Sequence, residues 1–262
     1  MPLCSHLLQK ELLVSRPPRR RVALFVTCIV DQIYPNIGLA AARLLESQGC
    51  EVHVPRGLTC CGQMAFNAGF REDARVVAGR TIELLRGQGD VVLPSGSCGA
   101  MIKHLYAELF QGTPHEQAAN ELVGRTYELT EYLVDVLGAT NVGARFGGRM
   151  AYHDACHGLR YLGLSRQARV LLDHVAGAEL AALTAADECC GFGGLFAVKQ
   201  APISEAILGR KLNNIGAANV DLVVTGDASC MTQIAGGLSR SGARTQVRHI
   251  AEVLANMTDR KP

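Results

Sequence analysis

Eight of the ten cysteines in this 262-residue chain form a pattern that occurs twice. Each copy has a single cysteine, then a Cys-Cys-Gly triplet, then another single cysteine. The first copy consists of Cys28, Cys60, Cys61 and Cys98, and the second of Cys156, Cys189, Cys190 and Cys230. The first two members lie 32 positions apart (60 − 28) in one copy and 33 apart (189 − 156) in the other. Because four cysteine thiolates can hold an iron–sulfur cluster, the pattern indicates two iron–sulfur sites.

Other uses of cysteine fit this pattern less well. Buried structural thiols scatter along a chain and do not repeat in register, and disulfide frameworks are typical of small secreted chains. Zinc sites usually contain Cys-x-x-Cys pairs, and none occurs here. A zinc-stabilised structural or scaffold protein remains the alternative from a different functional class.

Composition and charge exclude several classes of protein. The chain is 48% hydrophobic and 19% charged, which predicts a packed core and not disorder. Its net charge of +2 offers no electrostatic basis for binding nucleic acid. There is no apolar run of the length a transmembrane segment needs, and residues 1–21 lack the apolar stretch of a signal peptide. We therefore expect a cytoplasmic location.

Short apolar runs alternate with helical patterns, which predicts βαβ units and parallel sheets. In the first half we predict strands at 21–27, 51–54 and 90–94, helices at 36–48, 67–85, 98–110 and 127–137, and a loop at 111–124. In the second half we predict strands at 149–153, 180–183 and 220–224, and helices at 168–175, 203–216 and 250–254. Each cysteine of the pattern follows a strand. Ligands of such sheets bind at the carboxyl ends of the strands, so we expect these loops to converge.

The second half repeats the first. Cys156 lies 128 positions after Cys28 (156 − 28), and Cys230 lies 132 positions after Cys98 (230 − 98). The predicted fold class is α/β, with two internally repeated Rossmann-like modules that have parallel sheets and a pseudo-two-fold relation. We divide the chain into an N-terminal extension at 1–20, which contains Cys4, a first module at 21–147 and a second at 148–262, with 139–148 as the boundary segment. Cys50 directly precedes a strand and is predicted to be a buried small hydrophobe.

The residues around the cysteines also suit a metal site. Gly62 and Gly191 allow the tight backbone that turns two consecutive thiolates toward one centre. Cys98 and Cys230 are predicted to open helices, where the helix dipole favours the thiolate form.

The repeated Cys…Cys-Cys-Gly…Cys pattern resembles the CCG-domain family of cysteine-rich iron–sulfur oxidoreductases over residues 21–256. The segments that carry this resemblance are Gly-Ser-Cys at 96–98, His-Asp-Ala-Cys-His at 153–157 and Cys-Cys-Gly-Phe-Gly-Gly at 189–194. The resemblance implies one cluster per module, with all eight patterned cysteines as metal ligands. It also implies electron transfer as a subunit of an oxidoreductase.

One branch of this family has two CCG repeats and no ferredoxin domain, as this chain does. The resemblance to that branch implies a part in the oxidation of L-lactate to pyruvate. The implied substrate is a small 2-hydroxy acid, and the implied partners are companion iron–sulfur and lactate-utilisation subunits. An iron–sulfur subunit of another 2-hydroxy-acid or heterodisulfide-type oxidoreductase is the alternative within the redox class.

The chain departs from the family pattern at two positions. The pattern ends each repeat in Cys-x-x-Cys, but the first of these positions is Ser95 in one repeat and Asp227 in the other. Four thiolates per module suit an ordinary [4Fe–4S] cluster better than the unusual noncubane cluster found in the family. We interpret Ser95 and Asp227 as turn or helix-cap residues, with an oxygen ligand as the alternative.

The surroundings of the two cysteine sets differ. At the positions of His153, His157 and Lys199 in the second half, the first half has Phe25, Ile29 and Phe70. We therefore predict His153, His157 and Lys199 as catalytic residues that face a substrate or redox partner. The first site would then be a relay or structural centre. A structural, hydrogen-bonded histidine is the alternative for the two imidazoles.

Overall fold

The computed structural model describes residues 19–258, and its strands form two separate four-stranded sheets. The first sheet contains β1 Arg21–Leu24, β2 Glu51–His53, β3 Asp90–Leu93 and β4 Thr126–Glu128. The second contains β5 Arg145–His153, β6 Ala176–Ala181, β7 Leu222–Thr225 and β8 Gln246–His249. Both sheets are parallel throughout and share one strand order, β2-β1-β3-β4 and β6-β5-β7-β8. The predicted α/β fold with two repeated parallel-sheet modules is confirmed.

Helices connect the strands of both sheets. Those of the first module are α1 Cys28–Ile33, α2 Pro35–Ser47, α3 Gln63–Asn67, α4 Arg71–Leu85, α5 Gly96–Ala100, α6 Tyr106–Phe110, α7 Glu116–Val123 and α8 Leu129–Glu131, with π-helical turns at Met101–Leu105 and Tyr132–Val136. Those of the second module are α9 Cys156–Leu162, α10 Arg166–Asp173, α11 Leu195–Lys199, α12 Ala201–Ala218, α13 Ala228–Arg240 and α14 Ile250–Leu254.

The fourth strand of each sheet is absent from the sequence-based prediction. The segment 127–137, predicted as one helix, begins in β4, and the predicted loop at 111–124 contains α7. Strand β4 has only three residues, too few to show an alternating pattern. Its extended conformation depends on the pairing of Val91–Leu93 in β3 with Thr126–Glu128, and this pairing is invisible in the local sequence.

The start of the second sheet also differs from the prediction. Strand β5 begins at Arg145, inside the predicted boundary segment, and β6 begins at Ala176 instead of residue 180. Gly147 and Gly148 suggested a linker, but they lie in a strand whose register with β6 shifts between Arg145 and Gly148. Gly148 has a φ of +141°, which is typical of a glycine at such an irregularity. The module limits at 147 and 148 stay a prediction, and Cys4 lies outside the described residues.

The two modules pack against each other through reciprocal pairs of helices. Helix α5 of the first module contacts α9 of the second, and the equivalent helices α13 and α1 contact each other in turn. Likewise, α2 of the first module contacts α14 of the second, and their equivalents α10 and α8 contact each other. Reciprocal contacts of this kind characterise a two-fold interface, so they agree with the predicted pseudo-two-fold relation.

One hydrophobic core extends across both modules. Leu24 and Leu45 of the first module belong to the same buried cluster as Leu172 and Leu254 of the second. Cys50 joins this cluster and is only 4% exposed, which confirms its predicted role as a buried small hydrophobe. A further cluster fills the other face of the first sheet. Within residues 19–258, the helices all fall short of the length and apolarity needed to cross a bilayer.

Candidate metal centre

The eight patterned cysteines line one cavity where the two modules meet. This cavity has a volume of about 160 Å³. Each set of four reaches it from three loops, which follow β1, β2 and β3 in the first module and β5, β6 and β7 in the second. The predicted convergence at the carboxyl ends of the strands is therefore present in both modules, and the two sets share a single cavity. In the described chain every cysteine is a free thiol.

The first set forms a connected group of sulfur atoms. Cys61 Sγ lies 3.3 Å from Cys98 Sγ, and the Gly62 amide donates to Cys60 Sγ at 3.4 Å. Hydrogen bonds from the thiols of Cys28 and Cys61 hold the pKa of Cys60 well below its usual range. The same contacts to Cys60 raise the pKa of Cys28 and of Cys61.

The second set repeats these contacts. The Gly191 amide donates to Cys189 Sγ at 3.3 Å, and hydrogen bonds from Cys156 and Cys190 lower the pKa of Cys189 strongly. A hydrogen bond from Cys190 lowers the pKa of Cys230 to about 7, although burial opposes this change. In both modules the pKa is lowered most at the first cysteine of the Cys-Cys-Gly triplet.

The glycine of each triplet adopts a left-handed conformation, which agrees with the tight backbone expected at both positions. Gly62 has a φ of +87° and Gly191 a φ of +90°. A Cβ atom at Gly191 would lie 2.6 Å from the carbonyl oxygen of Ser204, and one at Gly62 would lie 3.1 Å from that of Ala74. Both triplets therefore pack closely against the second helix after them, α12 in one module and α4 in the other.

Ser95 and Asp227 are N-caps, as the sequence suggests, and they also join the two modules. Ser95 Oγ accepts from the Cys98 amide at 3.3 Å, and Asp227 Oδ1 accepts from the Ser229 amide at 3.0 Å. Asp227 Oδ2 accepts across the interface from the Ser97 amide at 2.8 Å and from Ser95 Oγ at 3.2 Å. Ser95 and Asp227 thus form a buried hydrogen-bonded connection between the cysteine loops.

His153 lies at the end of β5, fully buried beside the second cysteine set. Its Nδ1 is 3.1 Å from the carbonyl oxygen of Ala186. A ring nitrogen of His153, Cys190 Sγ and Cys230 Sγ all lie within 4.8 Å of one another. The imidazole and these two thiols together form a compact set of possible metal ligands.

The other two residues predicted as catalytic occupy different places. His157 lines the cavity, with Nδ1 3.6 Å from Cys156 Sγ and its ring stacked on Tyr161 at 5.6 Å between centroids. Lys199 lies exposed at the end of α11 and is not among the described residues that line the cavity. The structure therefore brings His153 and His157 to the cysteines and leaves Lys199 apart, and the catalytic roles of all three stay predictions.

Sequence reasoning missed Lys211, a fully buried lysine on α12. Its Nζ donates to the carbonyl oxygens of Ala185 and Ala186, in the loop that leads to Cys189. Burial lowers the pKa of this lysine. A lysine between Leu208 and Ile215, at the spacing of a core-facing helical stripe, was the signal that could have revealed it.

A comparable contact anchors the first triplet. Thr81 Oγ1 on α4 donates to the Cys60 carbonyl oxygen at 3.2 Å. Thr81 and Lys211 lie 130 positions apart (211 − 81), the same offset that separates Ala74 from Ser204 at the two triplet glycines. The two helices therefore hold their cysteine loops from equivalent positions, one with a hydroxyl and the other with an ammonium group.

The donor set suits an iron–sulfur centre. Four thiols per module converge from three loops, and backbone amides donate to Cys60 and Cys189, as hydrogen bonds to cluster sulfurs do. Ser95 and Asp227 use their oxygen atoms as helix caps, and a ring nitrogen of His153 lies close to the thiols of Cys190 and Cys230. Fold and site together define a two-module α/β protein with a cysteine-lined centre suited to binding metal.

Comparison with known proteins places the chain within a family. The cysteine-rich (CCG) domain matches twice, at residues 22–103 and 150–235. This chain belongs to the cysteine-rich (CCG) domain family, and both copies contain the single cysteines and the Cys-Cys-Gly triplet described above.

Named relatives cover nearly the whole chain. It is 44% identical over 235 residues to lactate utilization protein A of Geobacillus thermodenitrificans (strain NG80-2), an alignment that covers 89% of this chain and 98% of the relative. It is also 44% identical over 234 residues to the protein of that name in Shouchella clausii (strain KSM-K16), with the same coverage. Lactate utilization protein A 2 of Bacillus cereus (strain Q1) is 40% identical over 237 residues, 90% of this chain and 98% of its own length.

Proposed function

We propose that this protein is an iron–sulfur subunit that transfers electrons during the oxidation of L-lactate to pyruvate. The observation that carries the proposal is the convergence of two matched sets of four cysteines on one cavity. The lactate substrate is supported by the names of the relatives, which resemble this chain over nearly their full length. Companion subunits would take electrons from lactate or pass them on, and this chain would connect them.

Each module would hold one [4Fe–4S] cluster. Cys28, Cys60, Cys61 and Cys98 would bind the first, and Cys156, Cys189, Cys190 and Cys230 the second. When bound, such clusters accept and release single electrons. The protein contributes the geometry of the thiols, the amide hydrogen bonds to Cys60 and Cys189, and an apolar surround that includes Ile29 and Phe192.

The caps at Ser95 and Asp227 favour an ordinary cluster over a noncubane one. Both side chains already accept amide hydrogen bonds, and they also bond to each other across the modules. An oxygen atom that turned toward a metal would have to leave these buried contacts, at a cost of about 1–3 kcal/mol for each group left unpaired. Four thiols then remain in each module.

Anaerobic purification followed by metal analysis tests the cluster assignment. We expect a brown protein with about eight iron atoms and about eight sulfide ions per chain, the content of two [4Fe–4S] clusters. The variants Cys61→Ser and Cys190→Ser should each lose about half of the iron, because each removes a ligand from one module. Cys50→Ala is the control, since Cys50 lies in the hydrophobic core and should keep the full iron content. A colourless protein loaded with zinc would support the structural alternative instead.

Reduction by substrate tests the place of the protein in metabolism. We expect L-lactate to reduce the clusters when the companion lactate-utilisation subunits are present, with pyruvate formed in proportion. Visible absorption and EPR would report the reduction. Reduction by a different 2-hydroxy acid or by a dithiol, with no response to L-lactate, would favour the alternative oxidoreductase and contradict the lactate assignment.

A further inference from the structure

The tautomer of His153 follows from its surroundings. The ring is fully buried, and Nδ1 lies 3.1 Å from the carbonyl oxygen of Ala186. A carbonyl oxygen only accepts hydrogen bonds, so Nδ1 must carry the proton. The same oxygen also accepts from the Asp154 amide at 3.1 Å and from Lys211 Nζ at 3.5 Å, which fixes its position.

The other ring nitrogen, Nε2, has no hydrogen-bond partner among the described residues. With the proton on Nδ1, Nε2 of the neutral ring presents a lone pair. Leaving such a buried acceptor unpaired costs about 1–3 kcal/mol, so a bound partner at Nε2 would stabilise the fold. The nearest candidates are the sulfur atoms of Cys190 and Cys230, which lie within 4.8 Å of a His153 ring nitrogen and of each other.

This arrangement is the one that metal-binding histidines adopt. Such a histidine almost always donates its second ring N–H to a backbone carbonyl or carboxylate, which orients the ring and fixes its tautomer. Ala186 provides that carbonyl for His153. When a metal centre binds the thiolates, Cys190 and Cys230 have no proton to give, so a metal atom is the partner that remains for the Nε2 lone pair.

We propose that His153 Nε2 is a direct ligand of the metal centre held by the second cysteine set. The inference rests on the proposed iron–sulfur function and concerns one of its two centres. Phe25 occupies the matching position in the first module, beside the first set. A [4Fe–4S] cluster takes one protein ligand at each of its four iron atoms, so His153 would replace one of the four thiolates of the second centre, whereas the first centre keeps only cysteine ligands.

The histidine makes the two centres unequal in electron affinity. Imidazole is neutral, whereas each thiolate adds a negative charge, and histidine ligation raises the reduction potential of iron–sulfur centres. The buried ammonium group of Lys211 acts in the same direction on the second module alone. We expect the second centre to have the higher potential, so that electrons move from the first centre to the second.

Isotope labelling tests this ligand without changing the protein. The full-length protein would be prepared with ¹⁴N-histidine or with ¹⁵N-histidine, reduced, and measured by pulsed EPR. We expect a strong nitrogen coupling of a directly bound imidazole, which changes with the histidine isotope. His153→Phe, which copies Phe25 of the first module, should abolish this coupling and make the remaining second-centre potential more negative. His174→Phe is the matched control, because exposed His174 contacts the Val170 carbonyl within its own helix at 2.8 Å.

The outcomes separate this inference from the proposed function. Clusters that show no strong histidine nitrogen coupling in the unmutated protein would overturn the ligand proposal and leave the iron–sulfur function standing. A weak coupling, typical of an imidazole that only hydrogen-bonds to sulfur, would overturn it as well. A protein without iron would contradict the proposed function and this inference with it. Loss of the coupling in His153→Phe, with iron retained in the first module, would support the proposal even if the second module binds its centre less tightly.

Discussion

At the scale of single residues, the glycines of the two triplets tolerate a side chain to different degrees. Gly191→Ala would place Cβ 2.6 Å from a backbone oxygen, and Gly62→Ala would place it at 3.1 Å, both in a left-handed conformation. We expect Gly191→Ala to lower the free energy of unfolding by about 2–4 kcal/mol and to remove iron from the second module, and Gly62→Ala to have a smaller effect.

Iron content and urea unfolding of these variants would check the prediction. Gly209→Ala in α12 is the control, because a Cβ atom there meets only open space, and alanine favours a helix by about 0.5–1 kcal/mol. Equal effects of Gly191→Ala and Gly209→Ala would show that close packing at the triplet does not determine cluster retention.

Lys211 provides a second prediction at the residue scale. Lys211→Met removes a buried ammonium group and two hydrogen bonds to the loop before Cys189. We expect a loss of about 1–3 kcal/mol in the free energy of unfolding and a more negative reduction potential for the second centre. Lys199→Met at the exposed end of α11 is the comparison. Redox titration followed by EPR would contradict this expectation if Lys199→Met changed the potential more than Lys211→Met.

These two lysines show where sequence reasoning fails at this scale. Lys199 was selected because the matching position in the first half is the apolar Phe70, yet the structure places it in solvent. Lys211 is farther along the chain, and α12 folds back so that its side chain reaches the same loop. The position of a lysine in the sequence does not show whether it contacts the cysteine loops, because that contact depends on how the helices pack.

At the scale of elements, the last helix of each module begins with a buried titratable cap. Glu128 caps α8 and His249 caps α14, each in a capping box with a glutamate three residues later. Burial raises the pKa of Glu128 to about 7 and lowers the pKa of His249 to about 4. The His249 ring accepts from the Ala251 amide through Nδ1, which a proton on that atom would prevent.

The two caps should have opposite effects on stability as pH changes. Glu128 contributes stability that is complete below its unfolded pKa of about 4.5 and is lost as the pH rises through about 7. His249 contributes stability that is complete above its unfolded pKa of about 6.5 and is lost as the pH falls through about 4. At about 1.4 kcal/mol for each pKa unit, each contribution is about 3 kcal/mol, and the two offset each other between about pH 4.5 and 6.5.

Single substitutions should separate the opposite effects of Glu128 and His249 on the free energy of unfolding. The free energy of unfolding of Glu128→Gln should fall as the pH decreases from about 7.5 to about 5.5, because His249 then acts alone. That of His249→Asn should rise over the same range, because only Glu128 remains. Neighbouring charges are Glu131 beside Glu128 and Asp227 near His249. Anaerobic urea unfolding at several pH values would measure both slopes, and identical slopes in the two variants would contradict the prediction.

At the scale of the whole molecule, Asp227 makes the two modules depend on each other. It caps α13 in the second module and accepts from Ser95 and Ser97 in the first. We expect Asp227→Ala to lower the free energy of unfolding by about 2–4 kcal/mol and to reduce iron binding in both modules, because it removes a cap and leaves buried donors unpaired.

A second aspartate offers a matched control across the same interface. Asp135 pairs with Arg166 at 2.7 Å, but both side chains are well exposed to solvent. Asp135→Ala should cost less than about 1 kcal/mol and leave iron unchanged. Loss of iron from the second module alone in Asp227→Ala would contradict the prediction, because it would show that the two modules bind iron independently.

The sequence alone determined the repeat, the parallel α/β modules, the eight cysteines and the turn glycines. Each of these depends on local information: strand and helix periodicity, the position of a cysteine after a strand, and the backbone freedom of glycine. The short strands β4 and β8 escaped detection because pairing with a neighbouring strand, and not their own pattern, determines their conformation.

Only the tertiary structure decided how the two modules are combined. It placed both cysteine sets in one cavity, joined Ser95 to Asp227, and brought His153, the Ala186 carbonyl and Lys211 together around the second set. These contacts join residues from different strands and helices, often more than twenty positions apart. They arise when helices and strands pack together, and the spacing of residues along the sequence does not show which side chains will then be in contact.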